Sequence, residues 1–430
     1  MEISHSKIDQ IHQQAFFVLI LLFLIALPCT APFFFNITPL LTALLIVNEL
    51  IFWLFNIKTK NISNAYKGIT TKMVLKKTLP FLFFYLIYLY GILISDKHLF
   101  DDLVQKLPFL IIPLVFAIQQ PHVFSKQKIQ ILIWTFAVSC VVSFFILIGH
   151  AFILEEHHID PYHYYYSNLS WRFHPTYISM IYLVAIMLLI FNCIKNNWNI
   201  KLQILTIFVS IILFIGILLL FSRSSILATI LTFFVYFVYL LFRTPKKALQ
   251  LIKLLLIPIL GCGICLYIMP QNNNRFIYTQ KVLKQEVKNA QMYDSYIDGQ
   301  NKHVPKYKEA RMQTWYIYYM LGKQAFPKGV GIVNLNEKGT ELALELGYTK
   351  VSDKQLNAHN QYLEIFAGMG LLGVLIFGFF IVELIYNGFK YKNIQFLLFL
   401  LICLFSFCFE AILERQVGIM FFVFFSSFLQ

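Results

Sequence analysis

The chain has 430 residues, of which 59% are hydrophobic, 17% are aromatic and only 13% are charged. Soluble globular domains have about 45–50% apolar and about 25% charged residues, so this composition excludes a soluble enzyme, a disordered protein and a small disulfide scaffold. The formal net charge is +14, which in a soluble protein would indicate nucleic-acid binding. In so apolar a chain we expect a polytopic membrane protein with no nucleic-acid partner, whose basic residues report its topology.

Twelve apolar segments are long enough, or nearly so, to cross a bilayer core of about 30 Å, which needs about 20 residues per helix. The first is interpreted as an anchor, because further apolar segments follow at once. The fourth is short and contains Pro108 and Pro113, and the last is interrupted by Glu414 and Arg415. The sequence thus predicts an all-α polytopic transmembrane helical bundle, with spans near residues 15–35, 37–56, 78–95, 107–118, 130–149, 175–194, 202–221, 224–242, 250–269, 361–386, 394–409 and 411–429.

Lysine and arginine concentrate in alternate loops between these spans. The basic loops are 57–77, 119–129, 195–201, 243–249 and 387–393. Because short cytoplasmic loops carry the excess of basic residues, these loops and both termini are predicted to be cytoplasmic. Residues 270–360 then form one long hydrophilic segment on the outer side, between nine spans in residues 1–269 and three spans in residues 361–430.

The long outer segment contains three stretches that are predicted to be helical: Tyr278–Asp294, Tyr307–Phe326 and Glu337–Leu346. In the second stretch apolar residues recur at helical spacing, and we expect this stripe to rest on the membrane domain or the interface. A transporter would rarely need such an insertion. An enzyme that holds a water-soluble acceptor beside a lipid-borne donor would need one.

The six arginines are distributed unlike the lysines. Arg243 is cytoplasmic, and the topology places the other five on the outer side: Arg172, Arg223, Arg275, Arg311 and Arg415. Arginine binds phosphate in bidentate fashion and stays charged. Arg223 lies between two long apolar spans with almost no loop, and charge at membrane depth is usually functional. For Arg172 and Arg275 a solvated loop charge is an equally good interpretation.

Two further groups of polar residues lie at the outer ends of spans. His359 and Asn360 open the tenth span, where a histidine can act as a base near neutral pH or can simply cap the helix. Glu410 and Arg415 lie in the turn between the last two spans, as a structural ion pair or as part of the same cavity. The acidic pair Asp101-Asp102 has lysines on both sides and is interpreted as a solvated turn.

The run Gly368-Met369-Gly370-Leu371-Leu372-Gly373 fits the dinucleotide-binding pattern but is not interpreted as a nucleotide site. That fingerprint requires a preceding strand, whereas this run lies inside a predicted span. Small residues in a membrane helix instead permit close approach of neighbouring segments.

Three segments together resemble the O-antigen ligase and polymerase superfamily of bacterial envelope glycosyltransferases. They are Phe221-Ser222-Arg223-Ser224-Ser225, then Arg311 with Trp315 and Pro327-Lys328-Gly329-Val330-Gly331, and finally His359-Asn360-Gln361-Tyr362-Leu363-Glu364. The segment His174-Pro175-Thr176-Tyr177, before the sixth span, is similar to a weaker pattern of the same superfamily. The order of the motifs, the twelve spans and the large outer loop agree with that superfamily, which implies a GT-C-like fold with a helical periplasmic loop in the bacterial inner membrane.

The resemblance implies a reaction at the periplasmic face. A glycan on undecaprenyl diphosphate would be transferred with inversion to an acceptor hydroxyl, without nucleotide sugar, cofactor or metal. Arg223 and Arg311 would stabilise the diphosphate charge, and His359 would take or orient the acceptor proton. Alanine at any of these three positions is predicted to abolish surface-polymer attachment. A second set is expected to contact the diphosphate or the glycan: Arg172, Asn360, Glu410 and Arg415.

The acceptor is the least determined part of this prediction. A ligase would use lipid A–core, a polymerase would use another repeat unit, and a third branch of the superfamily modifies Ser or Thr of proteins. The outer segment has a net charge of +5, which suits an anionic lipopolysaccharide core. We therefore favour the interpretation that the protein is a ligase. From another class, a lipid-linked glycan flippase would predict internal repeats and helices broken at the midplane, and no repeat is visible in the sequence.

Overall fold

The computed structural model describes residues 5–29, 37–59, 61, 66, 68–96, 100–119, 124–155, 169–171, 173–268, 307 and 309–430. The predicted helix Tyr278–Asp294, as well as Arg172 and Arg275, lie outside these residues. Within the described ranges the regular structure is helical, and no strand occurs. The predicted all-α class is therefore confirmed.

The described residues form sixteen α-helices, which are numbered in chain order. They are α1 (His5–Cys29), α2 (Ile37–Lys58), α3 (Thr71–Leu93), α4 (Phe100–Lys106), α5 (Pro108–Ala117), α6 (Lys126–Glu155), α7 (Pro175–Lys195), α8 (Ile200–Leu219), α9 (Arg223–Arg243), α10 (Pro245–Ile268), α11 (Ala310–Gln324), α12 (Leu335–Glu345), α13 (Thr349–Asp353), α14 (Gln361–Lys390), α15 (Ile394–Phe407) and α16 (Gln416–Leu429). A short 3₁₀ turn at Ile412–Glu414 precedes the last helix.

Every predicted span corresponds to one helix of the described chain. Eight helices are long and apolar enough to cross a membrane: α1, α2, α3, α6, α7, α8, α9 and α14. The helices α15 and α16 are apolar but have 14 residues each, and α5 has 10. The chain is thus a multi-pass helical membrane protein, while the count of twelve spans remains a prediction.

Helix α7 lies at the centre of the bundle. Its residues from Pro175 to Ile194 are all buried, and α6, α8, α9, α10 and α15 pack against it. A helix that is apolar on all sides is expected in such a position. By contrast, α9 exposes Ile230, Phe234 and Phe242 on one side, as a lipid-facing helix should. The burial of α7 fixes the position of its first residues, which lie at the same end of the bundle as the first residues of α9; the predicted topology makes this the outer end.

The described part of the outer segment has a small hydrophobic core of its own. Ile317 and Tyr318 of α11 are fully buried with Leu335 of α12 and Val351 of α13. Ala367 of α14 belongs to the same core, so the first turns of α14 are shared with this outer subdomain. The stripe on α11 was expected to rest on the membrane domain or the interface, and its residues do pack on the candidate membrane helix α14, but also on α12 and α13.

The predicted Pro327–Gly331 turn docks directly onto α14. The Val330 and Gly331 amides donate to the carbonyl oxygens of Ala367 and Gly368 at 2.9 Å each, and Leu371 N donates to Pro327 O at 2.9 Å. Helix α14 is kinked at Gly370, which has φ 60° and ψ −149°. The glycine run therefore permits a close approach, as expected, and the segment that approaches is this turn.

Gly370→Ala is expected to destabilise the protein by about 2–5 kcal/mol, because it combines backbone strain with overpacking. A Cβ atom at this position would collide with Pro327 O and would lie 2.6 Å from Lys328 C. The measurement is thermal unfolding in detergent. Gly378→Ala is the matched control, since Gly378 is on the same helix with no atom within 4 Å of its Cβ position; equal melting temperatures for the two variants would contradict the packing argument.

Candidate active site at the outer end of the bundle

His359 precedes the first residue of α14 and has a left-handed backbone, with φ 46°. Such a conformation costs about 1–3 kcal/mol in a non-glycine residue and is typical of functional sites. Asn360 caps the helix, with its Oδ1 accepting from Tyr362 N at 2.9 Å and Leu363 N at 3.1 Å. Its Nδ2 donates to Cys408 O at 3.0 Å. The Asn360 side chain thus caps α14 through its oxygen and links the start of that helix to the end of α15 through its nitrogen.

The histidine side chain pairs with Glu410, which lies in the turn between α15 and α16. His359 Nδ1 is 3.0 Å from Glu410 Oε2 and 3.2 Å from Oε1. The carboxylate side chain is 3% exposed. Burial raises the pKa of Glu410, but the hydrogen bond from His359 and the surrounding positive charge outweigh burial, so its pKa lies below 4.5. An ionised Glu410 accepts a hydrogen bond from Nδ1–H of His359, so Nε2 of the neutral imidazole carries a free lone pair.

A second histidine shares the same carboxylate. His174 Nδ1 is 3.1 Å from Glu410 Oε2. The centroids of the His174 and His359 rings are 5.6 Å apart. The pKa of His174 is lowered to about 4, mainly by burial; the attraction of Glu410 opposes this shift, and the charges of His359, Arg311 and Arg415 add to it. His174 is therefore neutral near pH 7 and leaves the charge of Glu410 available to His359.

Acidification from pH 7 to 5.5 is expected to destabilise the protein through His174. A histidine with a pKa near 6.5 when unfolded and about 4 when folded gives full stability above pH 6.5. As pH falls below 6.5 the unfolded chain takes up the proton first, which costs about 1 kcal/mol by pH 5.5 and about 3 kcal/mol in all. Thermal unfolding of His174→Gln should depend less on pH over this range than that of the wild type. Identical pH profiles would contradict the assignment.

Arginine side chains surround this group. The positive charge of Arg311, on α11, lowers the pKa of both Glu410 and His174, and that of Arg415 lowers the pKa of His174. Arg223, at the first position of α9, is 3.5 Å from Glu309, which precedes α11. Trp315 Nε1 donates to His359 O at 3.3 Å, which fixes α11 beside the histidine. The structure therefore places Arg223 on the helix start that faces α11 and brings Arg311 to the histidine–carboxylate group.

Side chains tie together the helix starts at this end. Ser222 Oγ, before α9, is 3.4 Å from Thr176 Oγ1 at the start of α7. Tyr177 OH donates to Ala411 O at 3.1 Å, which holds the turn carrying Glu410. Helices α7, α9 and α14 thus all begin here, and helix N-termini carry partial positive charge that attracts anions. The four sequence motifs therefore meet at one end of the bundle.

Two sequence interpretations need correction. Lys106, taken as part of a solvated turn beside Asp101, is 3% exposed, and its Nζ donates to Leu413 O at 2.6 Å. It holds the turn that precedes α16. Arg415 and Glu410, considered as an ion pair, are not paired in the described structure, because Glu410 binds the two histidines. The exposed Asp101 has no place in the group around His359.

The cluster also has the composition of a metal site. The ligating atoms of His174, His359 and Glu410 lie within 4.8 Å of one another, and imidazole nitrogen and carboxylate oxygen both bind zinc. Two arginine charges act on the same group, and they would oppose a divalent cation there. The donor set fits a metal, whereas the local charge fits an anion.

The sequence motifs include His174 and the turn that contains Glu410, but they do not predict that these two residues contact His359. Glu410 is 51 residues from His359, and local spacing gives no sign that they meet. The signal available was an isolated acid in a turn between two apolar spans. Glu309, the partner of Arg223, had no signal beyond its position two residues before Arg311.

The fold and this site define a polytopic membrane protein with a histidine–carboxylate pair in an arginine-rich end. Residues 208–378 match the model of the family described as O-antigen ligase. The resemblance inferred from the motifs is therefore confirmed over these residues, which make up less than half of the chain and are similar to the O-antigen ligase family. The match includes Arg223, Arg311 and His359, while His174 and Glu410 lie outside it. No curated protein matches the chain.

Proposed function

We propose that the protein transfers a glycan from undecaprenyl diphosphate to an acceptor hydroxyl, at the periplasmic face of the bacterial inner membrane. The observation that carries the proposal is the 3.0 Å contact between His359 Nδ1 and Glu410 Oε2, in an end of the bundle where Arg311 and Arg415 supply positive charge. A base oriented by a buried carboxylate, beside an anion-binding surface, suits attack by a hydroxyl on a diphosphate-linked sugar.

In this mechanism the acceptor hydroxyl lies at His359 Nε2. The acceptor oxygen forms a bond to the anomeric carbon from the face opposite the diphosphate, and its proton passes to Nε2. The bond between the anomeric carbon and the diphosphate oxygen breaks, and its electron pair stays on that oxygen. Arg223 and Arg311 stabilise the developing charge, while Glu410 stabilises the imidazolium. The configuration at the anomeric carbon is inverted.

Lipid A–core is the acceptor that we favour. The outer segment, residues 270–360, has a net charge of +5, which complements an anionic lipopolysaccharide core. A polymerase or a protein O-oligosaccharyltransferase of the same superfamily would use the same motifs with another hydroxyl. Deletion of the gene separates the three: free core without long chains indicates a ligase, a single repeat unit on core indicates a polymerase, and unchanged lipopolysaccharide with under-glycosylated proteins indicates the third branch.

The reaction itself is tested with purified protein, lipid-linked glycan and acceptor in the presence of EDTA. We expect product with EDTA, because arginine replaces the metal in stabilising the diphosphate, and no product from His359→Ala. Product that requires an added divalent cation would transfer the role to a metal at His174, His359 and Glu410. Absence of product with any acceptor, together with movement of the lipid across vesicles, would instead support a flippase.

A further inference from the structure

A basic cavity lies at the end of the bundle opposite His359. It is formed where α7 and α9 end and where α14 passes into α15, and its volume is about 630 Å³. Since these helices begin at the candidate active site and end here, the two sites are separated by the length of a membrane span. The topology predicted from the lysines places this cavity on the cytoplasmic side.

Four cationic side chains line the cavity: Lys195, Arg243, Lys247 and Lys392. None of them forms a salt bridge with a carboxylate of the described residues. Lys247 Nζ only reaches the backbone oxygen of Lys195 at 3.4 Å. No Asp or Glu is among the lining residues, so no acidic side chain of the lining offsets the four positive charges.

Tyrosines and apolar residues complete the lining. Tyr239 and Tyr391 bring phenolic groups to the cavity, and Tyr391 OH accepts from Lys76 Nζ at 2.7 Å, which adds a fifth cation nearby. Ile194 and Leu240 form part of an apolar wall. Next to Arg243, the side chain of Phe242 is 83% exposed on the lipid-facing side of α9. Polar and apolar surfaces are thus adjacent, as an amphiphilic ligand requires.

Topology alone does not account for this arrangement. Orientation in the membrane requires that lysines and arginines lie on one side, and scattered exposed residues would satisfy it. Here cations from three separate parts of the chain meet around one concave surface with tyrosine hydroxyls. Basic pockets between transmembrane helices on the cytoplasmic side bind anionic lipid headgroups.

We propose that this cavity binds the phosphate headgroup of an anionic phospholipid, such as phosphatidylglycerol or cardiolipin. The phosphate lies among Arg243, Lys247 and Lys392, and the acyl chains follow the exposed apolar surface beside Phe242. The site is independent of the proposed transferase chemistry. Its occupant is a structural lipid of the membrane and is not the glycan donor, whose diphosphate belongs at the other end.

The test uses the purified full chain in a neutral detergent, with phosphatidylglycerol or phosphatidylcholine added and thermal unfolding and native mass spectrometry as readouts. We expect phosphatidylglycerol to raise the melting temperature and to stay bound, since a ligand that binds only the folded state stabilises it. Phosphatidylcholine should do neither. The combined variant Arg243→Gln, Lys247→Gln, Lys392→Gln should bind phosphatidylglycerol at least tenfold more weakly.

The matched control carries Lys201→Gln, Lys246→Gln and Lys253→Gln, which remove the same charge from residues that do not line the cavity. Retained affinity in this control supports the proposal, and an equal loss in both variants overturns it in favour of diffuse electrostatic attraction. Inorganic phosphate or glycerophosphoglycerol that protects as well as the lipid would also overturn it, because a soluble phosphate would then be the ligand. If the lining variant does not fold, the single variants Arg243→Gln and Lys392→Gln are each compared with Lys246→Gln; weaker binding of phosphatidylglycerol in the first two alone supports the proposal, and equal binding in all three overturns it.

Discussion

Replacing His359 with alanine is expected to lower the rate of glycan transfer by about 10²–10⁴-fold, the usual contribution of a general base. The side chain faces Glu410 through Nδ1, so removal leaves the acceptor hydroxyl without a group to take its proton. Single-turnover transfer by purified protein measures the effect. Because donor binding rests on the arginines, the donor's dissociation constant should change little.

Glu410→Gln separates orientation from proton transfer. Glutamine keeps the volume and one hydrogen-bonding oxygen but loses the charge that stabilises the imidazolium. We expect kcat to fall about 10–10³-fold with KM for the donor nearly unchanged, as for loss of an interaction made in the transition state. Loss of membrane insertion in either variant would show a structural role, and full activity in both would remove the pair from the mechanism.

Arg223→Ala and Arg311→Ala are each expected to lower transfer by about 10²–10³-fold, the usual cost of removing a group that stabilises developing charge. Lysine should restore only part of the rate, because it lacks the planar fork that binds phosphate in bidentate fashion. Lys323→Ala is the control for Arg311, since Lys323 is exposed near the end of the same helix. It removes one positive charge without touching the site.

The ion pair between Arg223 and Glu309 allows a second control. The arginine side chain is 45% exposed and the glutamate side chain 35%, and exposed pairs contribute about 0–1 kcal/mol to stability. Glu309→Ala should therefore leave both folding and transfer near wild type. If it impaired transfer as much as Arg223→Ala does, the role of Arg223 would be to hold α11 and not to bind the diphosphate.

The sequence predicted the helices and the end of the bundle at which the candidate site residues lie. Hydropathy alone located twelve segments, because a membrane span must be apolar over its whole length. The motifs placed Arg223, Arg311 and His359 at helix starts on one side, and the structure agrees with that placement. Their catalytic roles stay predictions, as does the predicted contact of Arg172 with the diphosphate or the glycan.

What the sequence did not provide are contacts between distant helices. The pairing of Glu410 with His359 and His174 depends on how α7, α14 and α15 pack, and side-chain spacing within one helix carries no information about it. The burial of Lys106 depends likewise on its contact with Leu413, 307 residues away. The kink at Gly370 needs both the glycine and the docked Pro327 turn, which are read as separate motifs in the sequence.

Helix α14 contributes to two hydrophobic cores, and Ile365 and Met369, before the kink at Gly370, already belong to the core of the bundle. Ala367 belongs to the core of the outer subdomain, whereas Phe377 and Phe380 belong to that of the bundle. His359 is therefore built on the outer subdomain side, while its partners Glu410 and His174 are anchored in the bundle. The contact between His359 and Glu410 therefore joins the outer subdomain to the bundle. A fragment that contains only one of the two residues cannot form this contact. In the proposed mechanism, an acceptor that docks on the outer subdomain would therefore reach the contact between His359 and Glu410.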